Sequence, residues 1–327
     1  MSNYVTSLVG IDNTQDATLS TILLDNFVTF YDWGFLDKGG FNSVTIPNSG
    51  MYGGQKTDLR PAIDPNYPQY SVWQTFRENW VWETGISKTT QPIQISGIYV
   101  NNTFLPYTYN PASGSYIGGT GPSGYRLDFA DGRVVFNQPI PPTSTVRLNY
   151  SYKWLKVDKA EGIPFFRQIQ SNDFRIDNNF LNGSGEWIQL GQTRIQLPAM
   201  FVEVVPNRTY QPFQLGGGQW ANTDIVFYVL ADRESDCANI LNIISYQNDR
   251  VIPLFDTNMI SRSGAYPINF KGGLSDRQYT YPNWVNNYFY NKCRIYNTNI
   301  NNISQISVDF YLGTARCATQ VELLNIT

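Results

Sequence analysis

Apolar side chains recur at helical spacing in two stretches. Leu19, Ile22, Leu23, Asn26, Phe27, Phe30 and Tyr31 fall on one face, which predicts a helix over 16–33. Thr14 or Asp16 is placed to cap it and Gly34 to end it. Cys237, Ile240, Leu241 and Ile244 mark a second amphipathic helix from Ser235, its expected N-cap, to about Gln247. Both stripes read as core.

Elsewhere the period is two. Ile93 to Val100 reads as a strand with a turn at Asn101-Asn102, and Val146 to Trp154 puts Val146, Leu148, Tyr150, Tyr152 and Trp154 on one face. Tyr125–Phe129 and Arg133–Phe136 flank Asp131-Gly132, a hairpin signal because both turn residues tolerate positive φ. Residues 163–197 are mixed, with a hairpin at their end. A strand follows from Met200 to Val205, closed by Pro206, then a polar Gly-rich loop and a strand from Asp224 to Ala231. Ser304–Leu312 alternates Ile306, Val308, Phe310 and Leu312, and Val321–Ile326 forms a last short strand. Two regions, 39–87 and the stretch beyond Pro253, are broken by Gly and Pro and predict long excursions with little regular structure. In the first, Trp73, Phe76, Trp80 and Trp82 fit a short helix or a strand equally well.

Composition narrows the function. Of 327 residues only 15% are charged, while aromatics reach 15%, with 22 Tyr and 8 Trp. A weakly charged, aromatic-rich surface suits contact faces, where desolvating charge is costly. The net charge of −3 leaves no electrostatic footprint for gripping nucleic acid. The chain has no histidine, so the usual general base and every Ser-His or Cys-His pair are missing. Cys237, Cys293 and Cys317 fit neither a zinc pattern nor a disulfide framework. No stretch approaches about 18 apolar residues, and MSNYVTSLVG lacks the pattern of a signal peptide. The expectation is a soluble protein made in a reducing cytoplasm, with no cofactor and no membrane partner.

Little in the chain reads as chemistry. Gly216-Gly217-Gly218 lacks the Lys-Ser/Thr of a phosphate loop and reads as a flexible loop. Glu78 and Glu83, near the Trp residues, are the only carboxylate pair that suggests glycoside cleavage. Lys153 and Lys156, beside Trp154, read as the exposed face of a strand. No catalytic or metal residue is assigned.

The run Pro198-Ala199-Met200-Phe201-Val202-Glu203-Val204-Val205-Pro206, then Asp224 to Leu230, then Ala238-Asn239-Ile240-Leu241-Asn242-Ile243-Ile244 resembles the tail-terminator proteins of long-tailed bacteriophages. That resemblance implies an α+β core, a mixed or antiparallel sheet with two packed amphipathic helices, formed by 1–38 and 160–327. An extended contact arm at 39–91 and an inserted β subdomain at 92–159 complete the expected organisation. The β unit is similar to small modules attached to many phage virion proteins. The resemblance also implies a non-enzymatic virion protein, a neck or connector subunit at the head–tail junction. Its copies would form a ring, most simply a hexamer, between tail and head-completion proteins, and DNA would only pass through. A carbohydrate- or receptor-binding decoration or fibre protein is the alternative. Trp73, Trp80, Trp82, Tyr281, Trp284 and Tyr288 are the expected contacts to neighbours. Gln214, Gly216, Gly217, Gly218 and Trp220 form the expected loop toward a partner or the lumen.

Overall fold

The computed structural model describes residues 11–46, 57–119, 121–160, 196–214, 218–269, 272–307 and 310–324. It overturns the α+β expectation. The chain is mostly β, with 42% strand against 18% helix, and the described residues form two curled half-barrel sheets and four helices.

Sheet 1 runs, in spatial order, through β5 (Thr103–Pro106), β4 (Gly97–Val100), β10 (Val146–Arg147), β2 (Asp58–Pro61), β3 (Val72–Gln74), β9 (Arg133–Phe136) and β8 (Tyr125–Asp128). Two small ladders flank it, β1 (Phe41–Val44) with β11 (Tyr150–Lys153) and β6 (Thr108–Asn110) with β7 (Ser115–Ile117). Residues 57–74, expected in an extended arm, instead supply β2 and β3 to the interior of this sheet. Strands this short, separated by Pro61, Pro65 and Pro68, carry too few alternations to show a period. The hairpin of β8 and β9 closes at Gly132, whose φ is +63°. A Cβ there would meet the carbonyl of Arg77 at 2.4 Å, so glycine is needed for both conformation and space.

Sheet 2 runs through β12 (Lys156–Lys159), β13 (Ala199–Gln214), β14 (Gly218–Ala231), β18 (Phe310–Leu324), β16 (Phe289–Ile300) and β15 (Val251–Phe255), with β17 (Ser304–Ser307) also on β18. All pairings are antiparallel except β12 with β13. The polar stretch expected to be a loop after Pro206 is the distal half of a long hairpin, paired from Ala199↔Leu230 to Gln214↔Gly218. Proline is tolerated there because, among the described residues, β13 has no strand beside it beyond Val202, so an N–H need not be donated. Its exposed face carries no apolar alternation, so periodicity could not reveal it.

The helices are α1 (Leu19–Asp37), α2 (Glu234–Ser245), α3 (Thr257–Ser263) and α4 (Tyr281–Asn287). Helix α1 continues through Gly34 and stops before Gly39, whose φ is +90°. Thr18 and Arg233 precede α1 and α2, and neither makes a side-chain cap bond, so the expected caps are not used. One core lies between sheet 2 and these two helices. Leu23, Phe27 and Tyr31 of α1 and Cys237, Ile240, Leu241 and Ile244 of α2 pack on Val202, Ile225, Phe227, Val229, Ile295, Cys317 and Val321. A second core lies on sheet 1, around Trp73, Trp80, Leu127, Phe129, Leu148 and Tyr150.

Candidate functional site

Three features stand out: a closed sheet edge, a buried ionic triad and a polar sheet face.

The outer edge of β15 is closed by side chains. Asn26, fully buried on α1, donates through Nδ2 to the Phe255 carbonyl at 2.9 Å and accepts the Phe255 N–H at 2.8 Å. Pro253 has no N–H to offer, and its carbonyl accepts the Tyr281 hydroxyl at 2.6 Å. Side chains thus take the place of a neighbouring strand, which removes a template for edge pairing. Tyr281, Trp284 and Tyr288 do come together, in a small cluster with Phe255, Ile260 and Ala265 of their own chain. The Trp284 indole donates to the Ala265 carbonyl at 3.0 Å.

The other chosen aromatics are corrected by their burial. Trp73 and Trp80 are 1% and 0% exposed, in the core of sheet 1, and have no surface to offer a neighbour. Their indole N–H groups are satisfied internally, Trp73 by Tyr70 and Trp80 by Thr75 and Arg77. Trp82 is half-buried against the same core and lies 5.9 Å from the Lys153 ammonium. Gly216 and Gly217 lie outside the described residues. Gln214 and Gly218 pair at the hairpin tip, and Trp220 sits half-buried opposite Gln211 and Glu322.

Lys153 is not on an exposed face. Its side chain is 7% exposed, and its ammonium lies 2.5 Å from Asp32 Oδ2 and 2.5 Å from Glu83 Oε1. Glu83 is 4% exposed and Asp32 21%. Three separate segments meet here: α1, the stretch after Trp80, and β11. The backbone of Lys153 is held on both sides, its N–H on the Asn79 carbonyl at 2.9 Å and its carbonyl by Gln196 Nε2 at 2.8 Å. Burial pushes the Glu83 carboxyl up, and the charge of Asp32 adds to this against the opposing pull of Lys153. Burial disfavours the charge on Lys153, but Asp32 and Glu83 outweigh it and hold the ammonium above its ordinary value. Sequence reading named Glu83 and Lys153 separately and paired Glu83 with Glu78. No local signal joins Asp32 to them.

A second ionic cluster centres on Arg133, which reaches Asp64 at 2.9 Å, Asp128 at 3.0 Å and Asp131 at 2.6 Å. It ties the β8–β9 hairpin to the loop after β2. Burial and the nearby Asp128 charge raise the Asp131 carboxyl. Among the described residues no group of three or more His, Cys, Asp and Glu could hold a metal ion. Cys237, Cys293 and Cys317 are all buried free thiols.

The face of sheet 2 turned away from α1 and α2 is the third feature. Alternation places Trp220, Asn222, Asp224, Val226 and Tyr228 of β14 and Thr314, Arg316, Ala318, Gln320 and Glu322 of β18 there. Near its base a small cluster of Phe201, Leu230, Tyr228 and Leu312 packs with Ala160 and Leu197. Beyond it the groups bond laterally: Arg316 Nε to Asp224 Oδ2 at 3.0 Å, Gln320 to Asn222 at 3.1 Å, and the Tyr228 hydroxyl to Glu203 at 2.7 Å. Burial, then the bond to Glu203, pushes the Tyr228 hydroxyl up to about 12. With Lys292 and Arg294 of β16 included, this face carries three basic side chains and the carboxylates of Glu203, Asp224 and Glu322; Arg316 pairs with Asp224, and Arg294 with Asp249.

Compared with known proteins, the chain matches no family model and no curated protein.

Proposed function

We propose that this chain is a structural subunit of a tailed-phage virion that closes with copies of itself into a ring at the head–tail junction. The observation that carries this reading is the asymmetry of sheet 2. Both large helices cover one face, while the opposite face is polar, charge-balanced and laterally hydrogen-bonded. Such a face suits the wall of a channel through which DNA must slide. Phosphate is neither attracted nor repelled when the cations are already matched by neighbouring carboxylates. The reading no longer leans on a terminator-type α+β core, which the strand content excludes.

The edges of the same sheet support a cyclic assembly. The β15 edge is closed by Asn26, Pro253 and Tyr281, whereas β13 beyond Val202 has no strand beside it among the described residues. A head-to-tail ring needs two different surfaces on each copy, and the two edges of sheet 2 are chemically unlike. A decoration or receptor-binding role shares the β-rich character. It needs aromatic faces open to solvent, and Trp73 and Trp80, the tryptophans expected to supply one, are enclosed, while Tyr109, Tyr246 and Phe289 are exposed singly.

The test is the mass in solution by light scattering across a concentration series, for wild type and for Tyr210→Lys on the open β13 edge. A discrete cyclic oligomer in wild type, lost in a folded Tyr210→Lys chain, is the expected result. A monomer at every concentration that binds glycans in a screen overturns the reading.

A further inference from the structure

Among the described residues Lys153 is the lysine held by two carboxylates, with its own side chain and that of Glu83 buried and Asp32 21% exposed. We propose that Lys153 and Asp32 condense without any added enzyme into an intramolecular isopeptide bond, with Glu83 as proton carrier, covalently joining α1 to β11.

The geometry is that of reactants already assembled. The Lys153 nitrogen is 2.5 Å from an oxygen of the Asp32 carboxyl, which leaves the carboxyl carbon one bond further, in the near-attack range of roughly 3–3.5 Å. Glu83 Oε1 lies 2.5 Å from the same nitrogen and so touches the atom that must lose protons. The other Glu83 oxygen accepts the Trp82 N–H at 3.1 Å, which fixes the carboxyl in place. The backbone of Lys153 is clamped by Asn79 and Gln196, and Asp32 sits on the rigid helix α1. Apolar groups border the site on one side. Phe41 lies opposite Lys153 in the β1–β11 ladder and packs with Leu36, Val81 and Ile86.

The step balances without oxidant or activating nucleotide. The Lys153 ammonium passes a proton to the Asp32 carboxylate, leaving a neutral amine beside a neutral acid. The nitrogen lone pair attacks Asp32 Cγ, the C–N bond forms, and the carbonyl electron pair moves onto oxygen. Protonated Glu83 gives its proton to the departing hydroxyl as the C–O bond breaks, and takes one from nitrogen. One water leaves, the amide remains, and Glu83 is restored.

Burial favours this course in two ways. It disfavours the charge on the Lys153 nitrogen, which lowers the cost of releasing a proton from it. It also raises the Glu83 carboxyl, which eases the protonation that the leaving group requires. The attraction of the two carboxylates for the Lys153 ammonium works against the first proton transfer and makes the reaction slow, a maturation that follows folding. The neighbouring pair Lys159–Asp25, also at 2.5 Å and also on α1, has its lysine 35% exposed and, among the described residues, no second carboxyl in an ion pair with it. It serves as an internal control that stays an ion pair. The bond would span 121 residues of sequence and fasten the helix layer of sheet 2 to the sheet 1 side.

Intact mass spectrometry of the denatured full chain, after incubation of the folded protein, decides the matter. The wild type is expected to be lighter than its sequence by one water, and digestion to yield a branched peptide joining Asp32 to Lys153. Lys153→Arg and Glu83→Gln are expected at full sequence mass, with circular dichroism reporting their fold. Asp32→Asn is expected to lose ammonia instead of water, which reads the leaving group directly. A wild-type chain at full sequence mass overturns the proposal. So does a water loss that persists in Lys153→Arg, because that loss would be a backbone cyclisation such as Asp131-Gly132 can undergo. The branched peptide needs no variant, so the proposal stays testable should a substitution prevent folding.

Discussion

Replacing Asn26 by leucine removes the groups that stand in for a strand beside β15. The native side chain answers both backbone polar groups of Phe255, at 2.8 and 2.9 Å, in a site without access to water. Leucine has similar volume but leaves that N–H and that carbonyl without partners. Each unsatisfied buried group costs about 1–3 kcal/mol, and the added apolar burial offsets roughly 1–2 kcal/mol. The net expectation is a loss of about 2–4 kcal/mol, or a Tm lower by roughly 3–6 °C for a chain of this size. The Ile22 carbonyl, which also accepts from Asn26, is a helix carbonyl and keeps its backbone donor, so it adds little. Urea unfolding should show a lower midpoint at unchanged slope, and hydrogen exchange should rise first at the Phe255 amide. Asn26→Asp refines the test. Ionised, it accepts the Phe255 N–H but repels the Phe255 carbonyl. Protonated, it regains a donor, so its deficit relative to wild type should shrink as pH falls. An Asn26→Leu chain within about 0.5 kcal/mol of wild type, with unchanged exchange at Phe255, would refute the edge-closing role.

Gly132→Ala should cost at least about 2 kcal/mol in a urea melt, since it combines a positive φ of +63° with a Cβ 2.4 Å from the Arg77 carbonyl. Trp80→Ala should cost about 3–5 kcal/mol by chemical denaturation, and Trp284→Ala less, because only the first is fully enclosed; equal losses would contradict the core assignment. Burial pushes the thiols of Cys237 and Cys317 up to about 11 and about 12, from an ordinary value near 9. Folded thiols stay protonated while unfolded ones ionise, so their contribution to stability is fully present below about pH 9 and is lost as pH rises toward 11–12. Urea midpoints measured on either side of that value should fall with pH, less steeply in Cys317→Ala. A thiol reagent should modify the native chain only as fast as it unfolds.

The sequence by itself determined what one-sided burial writes into local spacing. The stripes of Leu23, Phe27 and Tyr31 and of Cys237, Ile240 and Leu241 announce two helices, and Asp131-Gly132 announces a hairpin, because each signal is complete within a few residues. The same reading stopped a strand at Pro206, where the long hairpin in fact continues, since an edge strand with an exposed polar face has neither apolar alternation nor any need of every N–H. Tertiary structure alone decided that Trp73 and Trp80 fill a core instead of facing a neighbour, and that Asn26 replaces a strand. It alone brought Asp32, Glu83 and Lys153 within 2.5 Å contacts. A lysine in a strand looks the same in sequence whether it meets water or two carboxylates, because its surroundings come from segments far apart in the chain. Charge burial is a property of the packed fold, and no local pattern encodes it.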